Sequence, residues 1–369
     1  MRQRALHNVL LVYAIEQSDL GGDALSFEDR AQASREAADG RPLPAAGDPS
    51  APINGSSERF LARRADALLT RLRVRSPGID RVLAAAPGAA GFDRSILLLG
   101  LLLGFGITFA EGNRIDIFAY PLIGLVLWNL VVYLILILRA FHLRQPNEAA
   151  GPVAARESAA LHSDGFFRRW LARTYANRVY ARIDALITHS VGFNAPLAPG
   201  LRRFAADWRE LGRPLFRERA RRLLHLAAIL AAIGLMAGYA VRGVMLRQPA
   251  GWGNTVFGPA SAHTALVTLY GAASAVKRIP IPSTHELQAL AWTSASTGGG
   301  PAGQWLDLIY WTALLYIVLP RLLTVVLSTL NLWRHSATLR TPPTFPGYLA
   351  AVLRSLPAAP ESKPAESSG

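Results

Sequence analysis

Four runs of mostly apolar residues, 92–110, 117–138, 223–241 and 306–330, interrupt a chain otherwise rich in arginine. A membrane-crossing helix needs about 20 such residues, because the hydrocarbon core is roughly 30 Å thick and a helix rises about 1.5 Å per residue. Only 17% of the chain is charged while 51% is hydrophobic, whereas an ordinary soluble domain is about 25% charged. The expected fold class is therefore all-α: an integral membrane protein with four transmembrane helices and helical cytoplasmic segments.

Orientation follows from the basic residues, since Lys- and Arg-rich loops stay in the cytoplasm. Residues 1–94 hold 13 basic side chains, 139–222 hold 16 and 320–369 hold 5, against 1 in the hairpin 111–116 and 4 in 242–305. Both termini and the middle loop are expected in the cytoplasm, and the hairpin and 242–305 on the other side of the membrane. Glu16 and Asp19 close the first short apolar run, which argues against a secretory signal there.

The expected organisation is a cytoplasmic region 1–91 with a linker at 39–57, a first helix pair 92–138, and a basic helical loop 139–222. A third span at 223–241, a periplasmic segment 242–305, a fourth span 306–333 and a tail 334–369, disordered at its end, complete it. A helix is expected over 5–17, and another from Glu58 behind Ser56 and Ser57, with Leu61, Ala65, Leu68 and Leu72 forming a stripe that packs within the chain. The loop should begin with a soft stretch, 144–165. A helix over 166–189 follows, in which Arg168, Arg169, Arg173, Arg178 and Arg182 alternate with aromatic residues. That pattern suits an interfacial helix attracted to anionic lipid. A further helix, 201–222, should run straight into the third span, and two short helices, 260–275 and 284–292, should lie in the outer segment.

Small residues four apart let helix backbones meet in lipid. Gly100 with Gly104, and Gly234 with Gly238, are such seams, expected to join helices of one chain. Pro320 should kink the fourth span. Arg321 lies fifteen residues past Leu306, roughly 22 Å across, close enough to the cytoplasmic surface to snorkel. His225, a turn beyond Arg222, is likewise expected at the interface, and Asn129 should bond another helix.

The chain contains no cysteine, which excludes disulfides, thiolate nucleophiles and Cys-bound zinc. Its two lysines, Lys277 and Lys363, lie outside any Gly-rich phosphate loop. No HExxH or GxSxG occurs. No catalytic residues, cofactor, metal or nucleic-acid partner are expected.

Two stretches, RGVMLRQPAGWGNTVF from Arg242 to Phe257 and LIYWTALLYIVLPRLL from Leu308 to Leu323, resemble the signature of a bacterial inner-membrane family of unknown function. The likeness covers about residues 58–335 and rests on Arg242, Gly251, Trp252, Pro320 and Arg321. Genes of that family often lie beside one for a GTPase-like protein, which implies a nucleotide-binding partner. Where the family has an acid after the Gly-Trp pair, this chain has Gly253. The expected function is a scaffold presenting an arginine-rich cytoplasmic platform to a partner. A small oligomeric transporter or channel is the alternative.

Overall fold

The computed structural model describes residues 3–39, 54–86, 90–111, 114–142, 166–189, 195–246, 249–253, 258–292, 299–337, 339 and 341–356. Most of the expected linker 39–57, the soft stretch 144–165 and the last thirteen residues of the tail lie outside the described residues. The helices are α1 (Gln3–Ser18), α2 (Phe27–Ala38), α3 (Gly55–Arg75), α4 (Ile79–Ala85), α5 (Ala90–Ile107), α6 (Tyr120–His142), α7 (Phe166–His189), α8 (Ala198–Leu211), α9 (Arg213–Leu246), α10 (Pro259–Lys277), α11 (Thr284–Ala289), α12 (Gly303–Ala313), α13 (Leu319–Ala337) and α14 (Phe345–Arg354). Two-residue strands β1 (Ile115–Asp116) and β2 (Ala250–Gly251) accompany them. The chain divides into two units, Met1–Ala89 with Leu171–Arg217 and Asn331–Gly369, and Ala90–Trp170 with Glu218–Leu330.

In the first unit α1 is central: every residue from Leu6 to Glu16 is buried, the polar His7, Asn8 and Glu16 included. The α2 helix starts at Ser26, whose hydroxyl accepts the Asp29 N–H, and α3 starts at Asn54, whose side chain accepts the Ser57 N–H. The start of α3 thus precedes the expected Glu58, because Asn54 and not Ser56 or Ser57 supplies the cap. Leu61, Ala65, Leu68 and Leu72 are all buried. Gly200 of α8 lies against α1, where a Cβ would stand 2.7 Å from Ile15 Cα. At Gly212 the chain breaks between α8 and α9, so the expected single helix over 201–222 is divided. The ten-residue α14 would be marginal alone. It is held by burial of Phe345, Leu349 and Val352, at roughly 1.5–3 kcal/mol for each fully buried side chain.

The second unit carries the apolar runs. Three helical stretches are long and apolar enough to cross a membrane: Gly91–Ala110, Arg213–Met245 and Gly303–Ala337. The second run, 117–138, is apolar over Tyr120–Leu134, a shorter length among the described residues. Its first three expected residues belong elsewhere, since Ile117 bonds to Gly251 and Ala119 turns the chain at a φ of 43° before α6 begins. Leu98, Leu99, Leu102 and Leu103 of α5 are more than half exposed, as helices facing lipid require.

Beyond the ends of α5 and α9, β1 and β2 pair in parallel, Ile115 opposite Ala250 and Asp116 opposite Gly251. Ala250 also bridges Gly300, and Trp252 bridges Ala291. Periodicity had suggested no strand here, because two-residue pairings carry no alternating pattern. These bridges bring the hairpin and the 242–305 segment together over a core that includes Ile117, Phe118, Leu266, Tyr270 and Trp305. The two helices in that segment are Pro259–Lys277 and Thr284–Ala289, the second opened by a Ser283 and Glu286 capping box.

Candidate functional site

The glycine seams set the frame of the second unit. A Cβ on Gly100 would stand 2.7 Å from the Ala227 carbonyl oxygen, and one on Gly104 would collide with that of Ala231. From the other side, Gly234 faces the Leu101 carbonyl and Gly238 faces Phe105 and Thr108. The two seams therefore pack against each other, α5 on α9, within one chain. In lipid such backbone contact replaces the missing hydrophobic drive between helices.

Within this frame lies a polar cluster among otherwise apolar helices. Arg321 of α13 is only 5% exposed. Its Nε donates to Asn129 Oδ1 of α6 at 2.6 Å, and its Nη1 lies 2.9 Å from Nδ1 of His225 on α9. With Nη1 donating, that His225 nitrogen is the acceptor and the ring is neutral. The guanidinium also lies 5.9 Å from the Tyr133 ring centroid, a favourable stacking arrangement. Expectation and structure part here. Arg321 does not snorkel and His225, 7% exposed, is no surface residue, because polar groups on two neighbouring helices offer the guanidinium partners nearer than the headgroups.

The fourth run shapes the same place. Between α12 and α13, Leu314–Val318 forms a π-helical turn, in which the Leu319 N–H reaches back five residues to Leu314. Pro320 has no N–H to give the Tyr316 carbonyl four residues earlier, and that carbonyl accepts the Tyr133 hydroxyl at 3.1 Å. A proline, a π turn and a buried cation thus coincide, and π turns within helices are frequent at functional sites. One turn before the π segment's midpoint, the hydroxyl of Thr312 is buried with no hydrogen-bond partner among the described residues.

Beyond the apolar stretch, Arg242 is 1% exposed. It donates to the Thr108 carbonyl at the end of α5 and to the Arg114 carbonyl at 2.9 Å, so carbonyls at a helix C-terminus receive its charge. Trp252 donates its indole N–H to the Leu287 carbonyl at 2.8 Å, and Gly251 leaves room beside the Leu290 carbonyl. These three residues hold the outer segment together. Asp116 accepts the Phe118 N–H at 2.9 Å. Burial pushes its carboxyl up to about 6, against which that one hydrogen bond works only partly.

In the first unit the charged interior is paired. Arg64, 3% exposed, grips both oxygens of Glu16 at 2.7 and 3.1 Å and donates to Tyr348 at 2.7 Å and Ser34 at 2.8 Å. Tyr348 donates to Glu16 at 2.5 Å; burial, then the neighbouring Glu16 carboxylate, raise its hydroxyl well above the usual tyrosine range. One network thereby joins α1, α2, α3 and α14. On α7, Tyr175, Val179, Ile183 and Ile187 are buried while Arg173, Arg178 and Arg182 are exposed. The side chains of Arg168 and Arg169 lie outside the described residues.

Sequence reasoning singled out Arg321 and Asn129 separately but not their union with His225 and Tyr133. The only available signal was the Pro320 and Tyr316 spacing, which announces a carbonyl in need of a donor. The Glu16, Arg64 and Tyr348 network left none, its members being 48 and 284 residues apart. Among the described residues no group of three His, Asp or Glu could hold a metal ion. No protein family, curated protein or solved structure matches the chain.

Proposed function

We propose that this protein is an integral scaffold of a bacterial inner membrane, crossing it four times with both termini in the cytoplasm. It presents an arginine-rich helical unit to a partner there. The observation that carries the reading is how the segments group. The three stretches richest in arginine, separated in sequence by the apolar runs, supply one folded unit. The hairpin and the 242–305 segment, poor in arginine, pair with each other through β1 and β2. An alternation of this kind is what a chain crossing four times produces, because loops on one side can meet only one another. The exposed Arg173, Arg178 and Arg182 suit acidic protein surfaces and anionic lipid alike. A GTPase-like protein is the partner class that the family resemblance implies.

Reporter fusions at Asn113 and Gly299 should read as periplasmic and one at Ala154 as cytoplasmic; a cytoplasmic Asn113 would reduce the anchor to two crossings. Cross-linking in cells followed by purification in mild salt should recover a partner. Replacing Arg173, Arg178 and Arg182 together with glutamine should abolish that recovery, and isolation of the chain alone from the unaltered protein would refute the scaffold.

A second reading, a small oligomeric transporter or channel, draws on the Arg321 cluster and the π turn, since intramembrane ionisable residues and broken helices line transport paths. Ion flux through reconstituted liposomes, lost in Asn129→Leu, would place it first.

A further inference from the structure

We propose that Arg321 is the receptor for one anionic oxygen group, a phosphate or carboxylate, docking into the α6, α9 and α13 cluster from the side of the bilayer on which Arg222 lies. A guanidinium is always charged, and removing a charge from water inside a membrane is costly unless something compensates it. Arg64 shows what this chain does where a counter-charge is available: it grips Glu16. Arg321 has no carboxylate among the described residues. Its hydrogen-bond needs are met by an amide oxygen and a neutral imidazole, which satisfy donors without cancelling charge.

Those two bonds use Nε and Nη1, and the Tyr133 hydroxyl is a further hydrogen-bond partner of the side chain, so that none of its three partners carries a negative charge. The guanidinium is held flat and oriented, between Asn129, His225 and the Tyr133 ring, so little side-chain entropy remains to be lost on binding. Position completes the argument. Arg321 lies eighteen residues from the start of α12 at Gly303, about 27 Å along the helix, which is headgroup depth on the side where Arg217 to Arg222 cluster. The anions available there are lipid headgroups and free phosphate, which share the oxygen geometry that arginine recognises. The inference rests on the membrane reading above and not on the scaffold's partner, so failure to capture a partner leaves it standing.

The test uses the purified full chain in nanodiscs, titrated with dihexanoyl phosphatidylglycerol, dihexanoyl phosphatidylcholine and inorganic phosphate. Bound lipid is counted by native mass spectrometry, and thermal unfolding reports the stabilisation that binding confers. Phosphatidylglycerol should be retained and phosphatidylcholine should not. Arg321→Gln should weaken retention about tenfold or more, and Arg321→Lys by less, while Arg59→Gln, at an exposed position of α3, leaves it unchanged. Displacement of phosphatidylglycerol by inorganic phosphate identifies a free anion as the ligand; retention in its presence identifies the headgroup. Equal retention of the two lipids overturns the proposal, and so does retention unaltered in Arg321→Gln. Should Arg321→Gln fail to fold, the contrast between the two lipids on the unaltered protein and the Arg321→Lys titration decide alone.

Discussion

Arg64 and Arg321 are two arginines of nearly equal burial, 3% and 5% exposed, in two differently built units. Arg64 sits against a carboxylate and a tyrosine hydroxyl drawn from distant parts of the chain. Arg321 sits against an amide, an imidazole and an aromatic face. The contrast extends to Arg242, whose charge meets backbone carbonyls. The first unit neutralises its buried cations with charge, while the second disperses them over dipoles. A membrane makes the second solution preferable, because a carboxylate at that depth carries its own desolvation cost and gains only if the pair is nearly ideal.

The comparison can be broken by truncation. Arg64→Ala leaves the buried Glu16 with only the Tyr348 hydroxyl and the more distant Arg30, 3.9 Å away, and should cost about 3 kcal/mol or more, read as a large fall in the unfolding midpoint of the first unit. Arg321→Met leaves only neutral groups behind and should cost no more than about 1–3 kcal/mol. Equal losses in the two variants would show that the distinction between charge and dipole compensation has no energetic content.

Packing offers the next largest effect. Gly104→Leu forces a side chain into the Ala231 carbonyl, and overpacking of this kind costs typically about 1–3 kcal/mol or more. Loss of the monodisperse detergent-solubilised species would register it. Gly124→Leu, where a Cβ meets nothing within 4 Å, should be tolerated. If both behaved alike, the α5 and α9 seam would not be the contact that holds the unit.

A smaller effect concerns pH. The folded Asp116 carboxyl titrates at about 6 instead of 3.8, so the folded state binds its proton more tightly than the unfolded state does. The group therefore destabilises the fold increasingly as pH rises from about 4 to 6 and by a constant amount above that. Asp116→Asn keeps an oxygen for the Phe118 N–H and should stabilise the protein by about 1–2 kcal/mol at pH 8, after allowance for remaining contact with water. At pH 4 the gain should vanish. A gain independent of pH would mean that ionisation is not its source.

The smallest change in stability is expected on the exposed face of α7. Arg178→Gln and Arg182→Gln should each alter unfolding by less than about 0.5 kcal/mol, while weakening association with anionic vesicles in a salt-dependent manner. A loss of stability comparable to Arg64→Ala would show that these arginines belong to the interior of the unit.

Much of the architecture could be read from the chain. Length and hydropathy were enough for the three long apolar helices, because the bilayer imposes a single dimension on any crossing segment. The stripe Leu61, Ala65, Leu68 and Leu72 was legible because helical spacing places those residues on one face. The glycine pairs were legible as close-approach surfaces, since a missing Cβ is a local property. Local signals misled where two were present at once: the start of α3 has three candidate caps within four residues, and Asn54 serves.

By itself, then, the sequence determined which segments are helical and apolar and where charge is concentrated, because these depend on residues within a few turns of one another. Only the tertiary structure decided what the buried charges meet. Arg64 finds a partner 284 residues away and Arg321 one 192 residues away, and no periodicity spans such distances. The pairing of β1 with β2 and the turning of the Arg321 guanidinium toward Asn129 and His225 were decided in the same way. In each case the outcome depends on which dipoles and charges adjoining segments bring within about 3 Å of a group that cannot remain unsatisfied.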